Sequence, residues 1–78
     1  MSARVTLYTR AGCHLCDDAL AVVAAACEAS GSTYSLVDVD ADPAVREKYG
    51  EKVPVVTVDG EVAGFWRIDP QVLAQALA

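Results

Sequence analysis

The β-branched run Val5-Thr6-Leu7-Tyr8-Thr9 breaks at Ala11-Gly12 and passes at once into Cys13-His14-Leu15-Cys16, which opens a stretch rich in alanine and valine. A strand that feeds a helix through two closely spaced thiols constrains both the fold and the chemistry. The first cysteine falls where the unpaired backbone N–H groups and the positive end of the helix dipole favour a thiolate. The thiolate is the species that attacks disulfides, so the position itself implies a reaction.

Residue patterns predict the remaining elements. Val5 to Thr9 reads as a central, buried first strand. The first helix starts at or near Cys13, carries Asp17 and Asp18 in its first turns, and stops near Ser30 before Gly31. Cys16, Leu20, Val23 and Cys27 share one face of it at spacings of four, three and four. Thr33 to Val39 is the second strand. Asp42 caps a short second helix with Pro43 at its first position, running to Tyr49 and ended by Gly50. Val55 to Val58 is the third strand. Asp59-Gly60 signals a tight hairpin into a fourth strand, Glu61 to Phe65. Asp69-Pro70 repeats the cap-and-proline device and opens a last helix to Leu77. The order β-α-β-α-β-β-α implies an α/β fold: a mixed four-stranded sheet with a parallel first pair, a C-terminal hairpin and covering helices.

Seventy-eight residues predict a single domain spanning 1–78, with no linker or repeat. An apolar fraction of 54% is enough for a compact core and argues against disorder. A net charge of −5 offers no basic stripe for a phosphate backbone, so nucleic acid is not an expected partner. Met1-Ser2-Ala3-Arg4 runs straight into the first strand without an apolar leader, and Ala19 to Cys27 is too short to span a bilayer. The three cysteines do not make a secreted disulfide framework. The expected setting is the cytoplasm, away from membranes, and nothing in the chain demands more than a monomer.

Cys13 is the expected nucleophile, and Cys16, one turn further in, is placed to resolve a mixed disulfide formed at Cys13. Two other readings of the pair stand beside this one: thiols packed inertly in a core, and ligands of a metal. A structural zinc site wants four ligands, whereas the only other thiol is Cys27 and the only histidine is His14, so no metal site is assigned. His14 either favours the neighbouring thiolate when protonated or simply faces solvent. Arg10, three residues before Cys13, either biases the thiolate or a bound carboxylate or is solvated. Cys27 reads as a small core residue. Val53-Pro54 marks either an ordinary start to the third strand or a cis-proline turn. In Phe65-Trp66-Arg67, Phe65 reads as core and Trp66 as half-exposed at a helix boundary; the other reading puts Trp66 or Arg67 in a partner-docking patch.

Tyr8 to Cys16, Val53-Pro54-Val55-Val56, Asp59-Gly60 and Gly64-Phe65-Trp66-Arg67-Ile68-Asp69 together make the chain resemble a compact glutaredoxin-like protein of the thioredoxin fold, over nearly its whole length. A CxxC beside a βαβ pattern is a thioredoxin-like motif. The resemblance implies a cis Pro54 beside the cysteines, with Val53 offering backbone hydrogen bonds to substrate as an added strand would. Departures are visible. His14 and Leu15 replace the proline and tyrosine common in dithiol glutaredoxins. Gly64 to Asp69 has one glycine where glutathione-using members carry Gly-Gly and an acid. That stretch is more similar to the Gly-Phe-Arg-Pro-Asp segment of redoxins that take electrons from thioredoxin reductase.

The resulting expectation is a dithiol thiol–disulfide oxidoreductase that serves electron transport and cell redox homeostasis. It alternates between free thiols and a Cys13–Cys16 disulfide at a redox-active centre. Cys13 and Cys16 are catalytic, and Val53, Pro54, His14, Arg10, Trp66 and Arg67 bind substrate. No tightly bound cofactor is expected. A protein or small-molecule disulfide is the substrate, and a reductase or a low-molecular-weight thiol such as glutathione is the electron donor. The rival is a non-catalytic module of the same fold that binds a partner, senses redox state or shares a metal through its cysteines.

Overall fold

The computed structural model describes residues 3–78. Strands β1 (Val5–Thr9), β2 (Tyr34–Asp38), β3 (Val55–Val58) and β4 (Glu61–Phe65) form one sheet in the order β2-β1-β3-β4. β1 runs parallel to β2 and antiparallel to β3, and β3 runs antiparallel to β4. Three helices connect and cover it: α1 (His14–Ser30), α2 (Pro43–Tyr49) and α3 (Pro70–Leu77).

Alternation along β1 separates the two faces. Val5 and Leu7 are fully buried with Val56 and Val58 against Ala19, Val23 and Cys27 of α1 and Leu73 and Leu77 of α3. Tyr8, on the opposite side of the pleat, stacks on Tyr49 of α2 with ring centroids 4.6 Å apart. β3 lies between these layers and is buried at all four positions. Parallel pairing of β1 with β2 needs a long crossover, and α1 supplies it.

The ends of the helices follow the local chemistry. Asp42 and Asp69 accept the backbone N–H groups of Ala44 and Gln71, with Pro43 and Pro70 at the first helical positions. Gly31 closes α1 at φ 70°, and Ser32 N–H returns to Cys27 O at 2.9 Å. Asp59 and Gly60 take φ 53° and 88°, the two left-handed positions that a tight β3–β4 hairpin requires.

Two expectations are corrected. β2 covers Tyr34–Asp38 rather than reaching Val39, because Asp38 turns its carboxylate onto Asp40 N–H at 2.9 Å and starts a 3-10 turn, Val39–Ala41. Val39, the first residue of that turn, is buried. Phe65 is 44% exposed instead of core. It pairs with Val55 on the edge strand β4, on the face turned away from α1 and α3. Among the described residues no helix is long and apolar enough to cross a membrane.

Candidate functional site

Strand register gathers the chemistry at one end of the sheet. The last residue of β1, Thr9, pairs with Asp38 at the end of β2, while Tyr8 pairs with Val55 at the start of β3 and Val55 with Phe65 at the end of β4. The segment after Thr9, the Val53-Pro54 turn and the Trp66-Arg67 turn therefore share that end.

Cys13 is the N-cap of α1, with extended backbone at φ −96°, ψ 111°. Its sulfur does the work usually given to a serine or aspartate oxygen: it accepts Cys16 N–H at 3.2 Å. Cys13 is half-buried, whereas Cys16 is 4% exposed beneath the first turn; all three cysteines are free thiols. Burial pushes the Cys16 thiol up to about 11, helped by its hydrogen bond to Cys13 and by the charges of Cys13 and Asp17, and opposed by the backbone of Arg10. Cys27 is buried at the far end of α1, and that burial raises its thiol as well. One thiol thus faces solvent and a second waits behind it. Among the described residues no group of three or more His, Cys, Asp or Glu side chains is placed to hold a metal ion.

The other expected site residues fall into three groups. His14 is exposed at the first position of α1, between the cysteines. Pro54 follows a cis peptide bond and is fully buried, while Val53 lies just outside the strand pairing that begins at Val55. Trp66 is fastened to that turn: its N–H donates to Pro54 O at 2.9 Å and its indole Nε1 to Glu51 O at 3.2 Å. Its backbone has φ 63°. The indole meets Phe65 edge-on at 5.2 Å and forms, with Leu15 and Arg67, an open apolar groove beside the CxxC turn. Arg67 is exposed and makes no ion pair among the described residues.

Arg10 is different. Its guanidinium grips Asp40 in a two-pronged pair, Nε to Oδ2 and Nη2 to Oδ1, both at 3.1 Å. Asp40 and Leu15 are the parts that the sequence pattern did not announce. The signal for Asp40 lay in Asp38-Val39-Asp40: parallel pairing carries the residues after β2 alongside those after β1, where Arg10 stands.

Residues 4–78 match the glutaredoxin-like domain family (DUF836). The uncharacterized protein Rv0508 of Mycobacterium tuberculosis is 31% identical over 80 residues, covering 96% of this chain and 82% of that one. The X-ray structure of target protein XcR50 from X. campestris is 35% identical, with a TM-score of 0.77 over 94% of this chain and 93% of that one. The holo form of glutaredoxin C1 from populus tremula x tremuloides shares the fold, with a TM-score of 0.58 at 19% identity over 99% of this chain and 81% of that one.

Proposed function

This chain belongs to the glutaredoxin-like domain family, and from that premise we propose that it is a dithiol thiol–disulfide oxidoreductase. The observation that carries the reading is the pairing of a reachable sulfur with a buried one a single turn away, Cys13 Sγ accepting Cys16 N–H at 3.2 Å.

In the proposed cycle the Cys13 thiolate attacks one sulfur of a substrate disulfide. A Cys13–substrate S–S bond forms, the substrate S–S bond breaks, and the first substrate thiolate leaves and takes a proton from water. Cys16 then loses its proton and attacks Cys13 Sγ. The mixed disulfide breaks, a Cys13–Cys16 bond forms, and the second substrate thiol departs. Two electrons and two protons pass to the substrate. A reductase or a low-molecular-weight thiol, glutathione among them, returns them.

Val53 offers its peptide groups to an extended substrate, Pro54 holds that turn against the cysteines, and His14, Trp66 and Arg67 border the approach. The substrate class is a protein or small-molecule disulfide, handled by a monomer in the cytoplasm.

Equilibration across thiol–disulfide buffers, with thiols trapped and counted by mass, tests the proposal. A reversible loss of two hydrogens at Cys13 and Cys16 between roughly −180 and −300 mV is expected. Thiols that stay reduced throughout, or that become reactive only after a chelator is added, would sink it.

A further inference from the structure

We propose that Arg10 is a positioning residue for the resolving cysteine: its side chain, locked onto Asp40, holds the peptide unit that borders Cys16 so that Cys16 can attack the mixed disulfide at Cys13. The inference rests on the exchange reaction proposed above and concerns its second step.

β1 ends at Thr9, whose Cα partner is Asp38, and backbone pairing supports the chain no further. The next residue is Arg10, and the Cys13 turn follows. The Arg10–Asp40 pair continues the tie between these two segments with side chains, one residue beyond Thr9 on one side and two beyond Asp38 on the other. Both anchors are themselves held. Asp40 donates its N–H to the Asp38 carboxylate at 2.9 Å. The Arg10 guanidinium also lies over the end of α2, where Gly50 is buried: Nη2 is 3.1 Å from the point a Cβ at Gly50 would occupy. Glycine at this position leaves room for the guanidinium.

Arg10 lines one cleft with Gly12, Cys13, Cys16, Leu20 and Leu36, so the residue that grips Asp40 also borders the pair of sulfurs. Burial, Cys13 and Asp17 all oppose a thiolate at Cys16, and the Arg10 backbone is the neighbour that favours it. How readily a buried thiol ionises depends on how steadily the residues bordering its cleft are held. A two-pronged guanidinium–carboxylate pair fixes direction as well as distance, which a lysine at this position does not reproduce. A pair this exposed, with 38% and 43% of the two side chains open to solvent, contributes little to overall stability. Its consequence is local.

Rapid mixing of the reduced protein with dithiodipyridine, a neutral disulfide, separates the two steps through two releases of pyridinethione. Wild type, Arg10→Gln, Arg10→Lys, Asp40→Asn and the Arg10→Gln/Asp40→Asn double variant are compared. Arg10→Gln and Asp40→Asn are each expected to slow the second release about fivefold to tenfold while the first changes less than about twofold. The double variant should be no slower than either single one, and Arg10→Lys should recover part of the loss. The pH midpoint of the second release, set by Cys16 with Cys13, Asp17 and Asp38 around its cleft, should rise in both single variants. If both releases slow together, if Asp40→Asn leaves the second release unchanged, or if neither variant changes it, the assignment is wrong. A wild-type protein that releases one pyridinethione only would refute the dithiol cycle itself. Thermal melts of the same samples identify a variant that fails to fold, and Asp40→Asn then decides.

Discussion

The backbone N–H of Cys16 points at the sulfur of Cys13 across 3.2 Å, so the proposed nucleophile is also the cap of the helix that carries its partner. Fold and reaction draw on one side chain, and substitutions can separate them. Serine is among the best N-caps and alanine among the poorest. Cys13→Ser should keep the melting temperature of the reduced protein while abolishing disulfide exchange. Cys13→Ala should abolish exchange and also cost about 1 kcal/mol of stability. Thermal unfolding alongside a disulfide-reduction assay checks both halves, and equal stability of the two variants would mean that the sulfur does not cap.

Cys16 carries the pH dependence. Its thiol is raised from 9.0 to about 11, so the fold favours the protonated form. The sign follows from that. The contribution is complete below the unfolded value of 9.0 and disappears as pH climbs towards 11. Reduced protein should lose melting temperature across this window. Oxidised protein should not lose it by this route, because Cys16 then has no proton to give up. Melting both forms at about pH 8 and about pH 10.5 makes the comparison. Near neutral pH, iodoacetamide should label the half-buried Cys13 first, leaving Cys16 and Cys27 protected by their 4% and 2% exposure.

Much of the architecture was legible because short-range chemistry governs it. The Asp-Pro helix starts at 42–43 and 69–70, the Asp59-Gly60 hairpin and the glycine stop at Gly31 depend on neighbours within a few residues, and each element falls where those signals put it. The misses are long-range. Arg10 and Asp40 are thirty residues apart and meet only through the register of β1 and β2. Phe65 looked like core by composition, yet its burial depends on which face of an edge strand it occupies. The left-handed backbone of Trp66 accompanies two distant carbonyl partners for its N–H, Pro54 and Lys52, which no local pattern announces.

Gly50 and Gly64 offer a paired test of what surrounds the site. A Cβ at Gly50 collides with the Arg46 carbonyl oxygen and crowds Arg10 Nη2 at 3.1 Å, whereas one at Gly64 meets only Ile68 Cδ1 at an ordinary 3.5 Å. Gly50→Ala should therefore destabilise by about 2 kcal/mol, and Gly64→Ala by less than about 0.5 kcal/mol. Urea unfolding with equal m-values measures both. Similar costs at the two positions would show that α2 shifts freely to accept the methyl group.

Trp66 joins backbone strain to recognition. A tryptophan at φ 63° occupies a region that glycine enters without penalty and that β-branched residues resist. Trp66→Gly removes the strain together with the indole, its Phe65 contact and its bond to Glu51 O. Trp66→Val removes the same contacts and keeps a strained backbone. Glycine should therefore be the more stable replacement by about 1–2 kcal/mol, the reverse of the usual order in a strand-flanking position. Both variants lose the groove wall opposite Leu15 and Arg67. With a protein disulfide as substrate, KM should rise about threefold to tenfold while kcat stays within about twofold, the pattern for lost binding that is equal in ground and transition states. A fall in kcat with KM unchanged would place the indole in the chemical step instead, and a valine variant as stable as the glycine one would show that the turn can leave the left-handed region once the indole is gone.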